Sequence, residues 1–147
     1  MFGPLAPGFK VTKDRLTTLS TIGYFRYNVL SSQELESVPK APFTVDVRDL
    51  ARAHILAVTA PSSAVLKKKK RLIVATTNWS WVDAITYLAE TRPELEGRLS
   101  GITHYKAPTA AVLDSSLTEE VLGLKEYIDW RRTIDDMVNS ILEVEKS

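Results

Sequence analysis

The stretch FTVDVRDLARAHILAV, residues 43–58, changes its hydrophobic period part-way along. Over Phe43–Val47 apolar and polar residues alternate, a pattern typical of a β-strand. From Asp49 onward apolar residues recur on one face at helical spacing, and His54 lies on that face, where we expect it to be buried. Asp49 is the expected N-cap, because aspartate accepts hydrogen bonds from the free amides of a first turn. A strand that leads directly into a helix indicates an α/β fold.

The sequence on either side continues this alternation of short strands and helices. The N-cap candidates are Asp14 and Ser80, the latter with Asp83 at the capping-box position, and Gly123 ends a short helix. The patterns predict strands over 72–75 and 102–105, and helices over 16–30, from Ser80 to about Thr91, after residues 113–116, and over 127–141. The sequence therefore predicts one small mixed α/β domain, residues 1–147, with short strands and four or five helices.

Composition limits the possible chemistry. The 147 residues carry a formal net charge of +1 and no cysteine, which excludes disulfides, thiol catalysis and cysteine-bound zinc. Two histidines, His54 and His104, do not indicate a metal site. The near-neutral charge argues against a nucleic-acid partner, and the basic run Lys67–Arg71 is interpreted as a solvated turn in preference to an anionic-surface patch. No apolar stretch approaches ~18 residues and no signal peptide is visible, so we expect a cytoplasmic protein with no membrane partner.

A series of short motifs, taken in order, resembles one known family. Residues 45–54 (VDVRDLARAH) are the most specific, and the others gain weight from their order and spacing. The series resembles the C-terminal, substrate-binding portion of the extended short-chain dehydrogenases/reductases, within the NAD-dependent epimerase/dehydratase superfamily. It is most similar to the dihydroflavonol reductase and cinnamoyl-CoA reductase type, which includes fungal ketone and aldehyde reductases. The motifs cover essentially the whole chain: FGP (2–4), VDVRDLARAH (45–54), RLIVA (71–75), WSWVD (79–83), RPEL (92–95), LDSS (113–116) and LGLK (122–125).

Two motifs of that family are missing from these residues. The family binds its dinucleotide on a glycine-rich loop, and the six glycines here lack that spacing. Its catalytic tyrosine is followed four residues later by a lysine that lowers the phenol pKa for proton donation, and none of the five tyrosines here has a lysine there. The resemblance implies the lobe of a truncated NAD(P)-dependent ketone or aldehyde oxidoreductase without its Rossmann half. Alone, it is not expected to reduce carbonyls or to bind NAD or NADP.

Two other interpretations stay open. One is a non-catalytic binding or interaction protein that kept the reductase lobe, and the other is a gene product with no function of its own. As a reductase lobe alone, the chain is left without the sheet against which it packs in the family, and a stable monomer would favour the binding-protein interpretation. We therefore expect an exposed apolar surface near Phe2, Phe43 and Val45, and a chain that is marginally stable or associates with itself through that face.

The resemblance also implies candidate site residues. Gly3 and Pro4 match the loop that approaches the nicotinamide end of the cofactor. Thr17, with Thr18, lies where the family has hydroxyls near the pyrophosphate or the substrate. No residue is assigned a catalytic or metal-binding role. Aromatic side chains are candidates for the wall of a substrate pocket, with plain core packing as the alternative: Phe9, Tyr24 and Tyr27. The three tryptophans, in contrast, are expected in the core or at its rim.

Overall fold

Helices form most of the described part of the chain. The computed structural model describes residues 1–35, 43–60, 71–76, 79–102 and 112–147. Among these residues two 3₁₀ helices, Lys13–Thr18 and Pro93–Leu95, accompany five α-helices. The α-helices are α1 (Ser20–Val29), α2 (Val47–Thr59), α3 (Trp81–Thr91), α4 (Ser116–Leu122) and α5 (Trp130–Lys146). The prediction of a small mixed domain with few, short strands is confirmed.

The strands β1 (Glu34–Leu35) and β2 (Gly101–Ile102) pair in parallel. β2 lies at the start of the strand predicted over 102–105, and residues 103–105 lie outside the described part. Two residues are too few for a hydrophobic period, so no sequence pattern indicated β1. The pair joins the chain after α1 to the chain after α3.

The main core is built around Trp81, which is fully buried between α1, α3 and α5. Phe2 and Trp79 meet the Trp81 ring edge to face, at ring-centre distances of 6.0 and 5.3 Å. Trp130 stacks on Trp79 at 6.0 Å. The prediction that the tryptophans belong to the core or its rim is confirmed.

An exposed apolar surface was predicted near Phe2, Phe43 and Val45, and this prediction is wrong for two of the three residues. Phe2 and Val45 are 2% and 9% exposed, whereas Phe43 is 38% exposed. The reason is a backbone contact across the molecule: the Phe2 N–H donates to the Val45 carbonyl at 3.0 Å, which draws Phe2 in against the tryptophans.

Two helix ends and the buried side of one helix are found where the local sequence predicts them. The Ser80 hydroxyl and the Asp83 carboxylate accept each other's backbone N–H, which completes the capping box of α3. Gly123 ends α4 with φ of 64°, a left-handed conformation that glycine adopts without steric cost. The apolar side of α5 is buried as predicted, at Ile134, Met137, Val138 and Ile141.

The helix predicted over 16–30 is divided in two. The chain forms the 3₁₀ helix up to Thr18 and restarts as α1 at Ser20, whose φ is +27°. Asp14 lies inside the 3₁₀ helix, so its predicted role as N-cap is wrong, and Leu19 precedes α1 without any side-chain cap. The division brings the Thr17 carbonyl against Gly23, a contact that a continuous helix could not make.

The prediction of strands over Phe43–Val47 and 72–75 is wrong, because neither segment forms a ladder of paired residues. Residues 43–47 make a single parallel bridge, Phe2 with Asp46, and residues 71–76 carry no strand among the described residues. The two segments are tied together through Thr76, whose N–H and hydroxyl donate to the Thr44 carbonyl at 2.8 and 3.1 Å. Alternation indicates a half-buried extended segment, but a strand needs a neighbour along several residues.

α2 begins earlier than predicted, and Asp46 is its N-cap. The Asp46 carboxylate accepts the Arg48 backbone N–H at 2.8 Å. The N-cap role predicted for Asp49 is therefore wrong. Asp49 is the third residue of α2, and its carboxylate accepts the Ile128 N–H at 2.8 Å. Asp46 has the extended backbone of a capping residue, with φ −67° and ψ 139°, which local sequence could not distinguish from strand.

The buried side of α2 faces a second, smaller cluster that includes Ala53, Leu122 and Leu124. His54 was predicted on that side but is exposed, and its Nδ1 lies 2.7 Å from the Leu50 carbonyl oxygen. It follows Ala53 by one residue, which turns it about 100° away from the packed side.

The predictions for the basic run and for His104 concern residues that lie mostly outside the described part of the chain. Lys67–Lys70 and His104 lie outside the described residues, and Arg71 is exposed. Within the described ranges, no helix is long and apolar enough to cross a membrane.

Candidate substrate-binding site

A cavity of about 600 Å³ opens along α1 and the 3₁₀ helix before it. We call it the α1 cavity. It brings together three candidates from the sequence: Thr17, Tyr24 and Tyr27. The tyrosines are three residues apart on one helix, so they project from the same side of α1. The remaining lining residues are Thr18, Ser20, Gly23, Arg26, Leu30, Ser31 and Gln33.

Gly23 sets the floor of the α1 cavity. A β-carbon at this position would overlap the Thr17 carbonyl, so only glycine lets the 3₁₀ helix lie this close to α1. The Gly23 N–H donates to the carbonyl of Leu19, the residue before α1, at 2.7 Å and so closes the first turn of that helix. The Thr17 hydroxyl donates to the Asp14 carbonyl at 3.2 Å and keeps its lone pairs for a ligand.

Two phenol side chains form the open side of the cavity. Tyr24 packs edge to face on Trp81, at a ring-centre distance of 5.3 Å, and remains 39% exposed. Tyr27 is 57% exposed. Burial raises the pKa of the Tyr24 phenol above its usual value, so the group is protonated at neutral pH and can donate a hydrogen bond.

An ion-pair network beside the α1 cavity ties α1 to α5. Glu145 on α5 accepts from Arg26 at 3.1 Å and from Arg98 at 2.8 Å. Burial works against the charged form of Glu145, but the hydrogen bonds from the two arginines outweigh it and hold the pKa of its carboxyl below the usual value. The charge of Arg26 is therefore already neutralised, although its side chain lines the cavity.

A second cavity, of about 670 Å³, lies between the opening loop, α2 and α5. We call it the loop cavity. Pro4 lines it together with Leu5, Ala6 and Pro7 from the loop, and Val47 and Ala51 from α2. Gly3 is buried next to Val47. Phe9 is 56% exposed and is among the described lining residues of neither cavity. The cofactor candidates Pro4 and Thr17 thus lie in different cavities.

A cluster around the buried Asp46 carboxylate, which shares Arg48 and Asp136 with the loop cavity, was not predicted. The Asp46 side chain is fully inaccessible and accepts from Arg48 through Nε at 2.9 Å and Nη2 at 2.8 Å. The Thr133 hydroxyl donates to the same carboxylate at 2.7 Å. Arg48 also donates to Asp136 at 2.6 Å. The sequence signal that could have indicated this cluster was the pair of aspartates, Asp46 and Asp49, at the start of one helix.

Comparisons with known proteins point to one group of enzymes. No family model matches the chain. Over 107 residues the chain is 33% identical to the NADPH-dependent methylglyoxal reductase GRE2 of Saccharomyces cerevisiae, covering 69% of this chain and 29% of the yeast protein. Over 146 residues it is 30% identical to a Candida albicans protein named as a putative NADPH-dependent methylglyoxal reductase, GRP2, covering 97% of this chain and 40% of that protein. The chain is homologous to part of these reductases.

Solved structures of the same group share the fold. Gre2 from Candida albicans superposes with a TM-score of 0.71 at 21% identity, covering 98% of this chain and 42% of that chain. Yeast methylglyoxal/isovaleraldehyde reductase Gre2, solved with NADPH, gives a TM-score of 0.67 at 25% identity, covering 99% of this chain and 41% of that chain. The chain therefore spans well under half the length of the reductases it resembles.

Proposed function

We propose that this chain is the carbonyl-substrate-binding portion of an NADPH-dependent reductase, with the α1 cavity as the substrate pocket. The observation that carries the proposal is the 30% identity to a reductase relative along 97% of the chain. The finer assignment, to the dihydroflavonol reductase and cinnamoyl-CoA reductase type, rests on the motifs in the sequence.

The geometry of the α1 cavity supports this role. Its volume of about 600 Å³ is within the roughly 300–1,000 Å³ typical of small-molecule sites. In this proposal the phenol hydroxyls of Tyr24 and Tyr27 donate hydrogen bonds to oxygen atoms of a small carbonyl compound. Trp81 behind Tyr24 holds that ring in one orientation, which favours binding because less side-chain entropy is lost.

The described residues could supply only a few peripheral contacts to an NADPH cofactor. NADPH, when bound, supplies the hydride for carbonyl reduction, and its phosphates need free cations or exposed backbone amides. Arg26 and Arg48 line the two cavities, but their charges are already paired with carboxylates. Gly3, Pro4 and Thr17 are proposed to contact the cofactor only when a dinucleotide-binding portion from outside these 147 residues is present. The tyrosine–lysine pair for proton donation must come from that portion too.

A graft tests the proposal. This chain replaces the matching part of the yeast methylglyoxal reductase, and NADPH oxidation by methylglyoxal is followed by absorbance. We expect the graft to turn over, and Tyr24→Phe and Tyr27→Phe each to raise KM about tenfold, as loss of one well-placed hydrogen bond does. Tyr127→Phe is the matched control, because the buried Tyr127 hydroxyl finds no hydrogen-bond partner within the described ranges and its removal should leave KM unchanged.

Two results would overturn the proposal. One is a graft that is folded and binds NADPH but reduces no ketone or aldehyde. The other is a graft in which Tyr24→Phe and Tyr27→Phe behave like the Tyr127→Phe control. Turnover by the isolated 147-residue chain, clearly above an empty-vector preparation, would contradict the requirement for an added tyrosine–lysine pair.

A further inference from the structure

Arg26 lines the α1 cavity, and the proposed function gives it no role. Its guanidinium donates through Nε to Glu145 on α5 at 3.1 Å. The Nη1 and Nη2 amino groups make no hydrogen bond within the described part of the chain, and the side chain is 30% exposed. Because a guanidinium carries N–H donors on all three nitrogens, those on the two amino groups remain available to a ligand.

Helical spacing places Arg26 and the two tyrosines on opposite sides of Gly23. Each residue of a helix advances by about 100°, so Tyr27 and Tyr24 lie about 40° and 100° to one side of Gly23, whereas Arg26 lies about 60° to the other. All four residues line the α1 cavity. The cavity therefore has hydrogen-bond donors on both sides of the glycine that forms its floor.

The Glu145 carboxylate holds the Arg26 guanidinium in place. Glu145 is only 11% exposed, and its other oxygen accepts from Arg98 at 2.8 Å, so the group that holds Arg26 is itself held. A planar guanidinium bound through Nε presents its amino groups in a set direction. Such a donor loses less side-chain entropy on binding an oxygen than a mobile surface arginine does.

We propose that Arg26 is a specificity-determining residue that binds a second oxygen of the substrate, apart from the carbonyl that is reduced. This inference rests on the proposed function and names the substrate class of the same cavity: aldehydes and ketones that carry a second, uncharged oxygen. The charge of Arg26 is already paired with Glu145, so Arg26 offers hydrogen bonds in place of a free cation, which suits a carbonyl or hydroxyl oxygen.

Two aldehydes that differ in this feature test the inference. Yeast Gre2, which receives the graft, is a methylglyoxal/isovaleraldehyde reductase. Methylglyoxal carries a second carbonyl oxygen, whereas isovaleraldehyde carries none. Initial rates of NADPH oxidation by the graft give a KM for each. We expect Arg26→Met to raise KM for methylglyoxal about tenfold, as loss of a hydrogen bond from a charged donor does, and to leave KM for isovaleraldehyde unchanged.

Arg98→Met is the matched control. It removes the other arginine that binds Glu145, with the same loss of charge, but Arg98 is not among the described lining residues of the cavity. We expect it to leave both KM values unchanged. Glu145 keeps one arginine partner in either variant, so neither change leaves an unpaired carboxylate.

Arg26→Lys covers the case in which Arg26→Met does not fold. A lysine can keep the ion pair with Glu145, but its single compact ammonium replaces the fork of donors, so the pairing and the binding of a second oxygen compete. We expect the same selective rise in KM for methylglyoxal.

Binding to the isolated 147-residue chain gives a second readout that needs no graft. Hydroxyacetone and acetone differ only by a hydroxyl group, and each is titrated while the Arg26 Nε–H signal is followed by NMR. The signal is assigned by its loss in Arg26→Lys. We expect hydroxyacetone to shift it at concentrations at which acetone does not.

The outcomes separate this inference from the proposed function. No rise in KM for methylglyoxal in the Arg26 variants, or an equal rise for both aldehydes, overturns the inference, and so does an Arg98→Met graft that behaves like Arg26→Met. If Tyr24→Phe and Tyr27→Phe raise KM while Arg26→Met does not, the proposed function stands and the role of Arg26 is refuted. A folded graft that reduces neither aldehyde refutes the proposed function, and the NMR titration then decides: an equal response to the two ketones, or none, refutes the role of Arg26 as well.

Discussion

Replacing Asp46 by alanine should destabilise the chain by ~3 kcal/mol. The Asp46 carboxylate is the N-cap of α2, which by itself contributes ~1 kcal/mol. It also accepts charge-assisted hydrogen bonds from the Arg48 guanidinium and the Thr133 hydroxyl, and such bonds contribute ~1.5–3 kcal/mol. The cost stays at the low end of the ~3–5 kcal/mol for breaking a buried pair, because Arg48 is 36% exposed and keeps its contact with Asp136.

Urea denaturation followed by tryptophan fluorescence measures this loss, and Asp129→Ala is the matched control. Asp129 caps α5 in the same way, by accepting the Arg131 N–H at 2.9 Å, but its carboxylate is exposed. We expect Asp129→Ala to cost only the ~1 kcal/mol of a lost cap. If Asp46→Ala costs no more than Asp129→Ala, then the buried contacts to Arg48 and Thr133 contribute nothing and the reasoning is refuted.

The Asp46 cluster should also respond to pH in a defined direction. Burial raises the pKa of Asp46, but the hydrogen bonds from Arg48 and Thr133 outweigh it, so the pKa is held below its usual value. A carboxyl with a lowered pKa in the folded state stabilises above its unfolded pKa of about 4, and the stabilisation is lost as the pH falls further. The stability difference between the unchanged chain and Asp46→Asn should be full at neutral pH and shrink steadily below about pH 4. A difference that persists at low pH would contradict the assignment.

Three further variants test other contacts. Glu145→Gln should cost ~1–2 kcal/mol at neutral pH, since a charged acceptor shared by two arginines is lost, and the cost should fall below about pH 4 as the native carboxyl protonates. Gly23→Ala should destabilise by ~1–3 kcal/mol, although alanine is the better helix former, because its methyl group overlaps the Thr17 carbonyl. Ser80→Ala should cost ~1 kcal/mol through loss of the capping box with Asp83.

Urea denaturation checks all three, and each has its own contrary result. A pH-independent effect of Glu145→Gln would show that its charge is irrelevant. A stabilised Gly23→Ala would show that the 3₁₀ helix does not lie against α1. A neutral Ser80→Ala would show that α3 does not depend on its cap.

The features that the sequence determined by itself are local ones. The capping box at Ser80, the glycine end of α4 at Gly123 and the apolar side of α5 depend on residues within a few positions of one another. Their geometry follows from helix spacing and backbone chemistry, whatever surrounds them. The same locality explains why Tyr24 and Tyr27 could be expected on one wall: three residues on a helix place side chains together.

Tertiary structure alone decided the features that need a distant partner. Asp46 and Asp49 are both suitable caps by chemistry, and the choice depends on Thr133 and Ile128, which are more than 75 residues away and occupy one carboxylate each. The alternation at 43–47 could become a strand only if a neighbour ran beside it, and Phe2 supplies a single bridge. The cavity at α1 likewise depends on a fold-back of the preceding segment onto Gly23. Contacts between residues far apart in sequence leave no local pattern, because either partner alone is compatible with several environments.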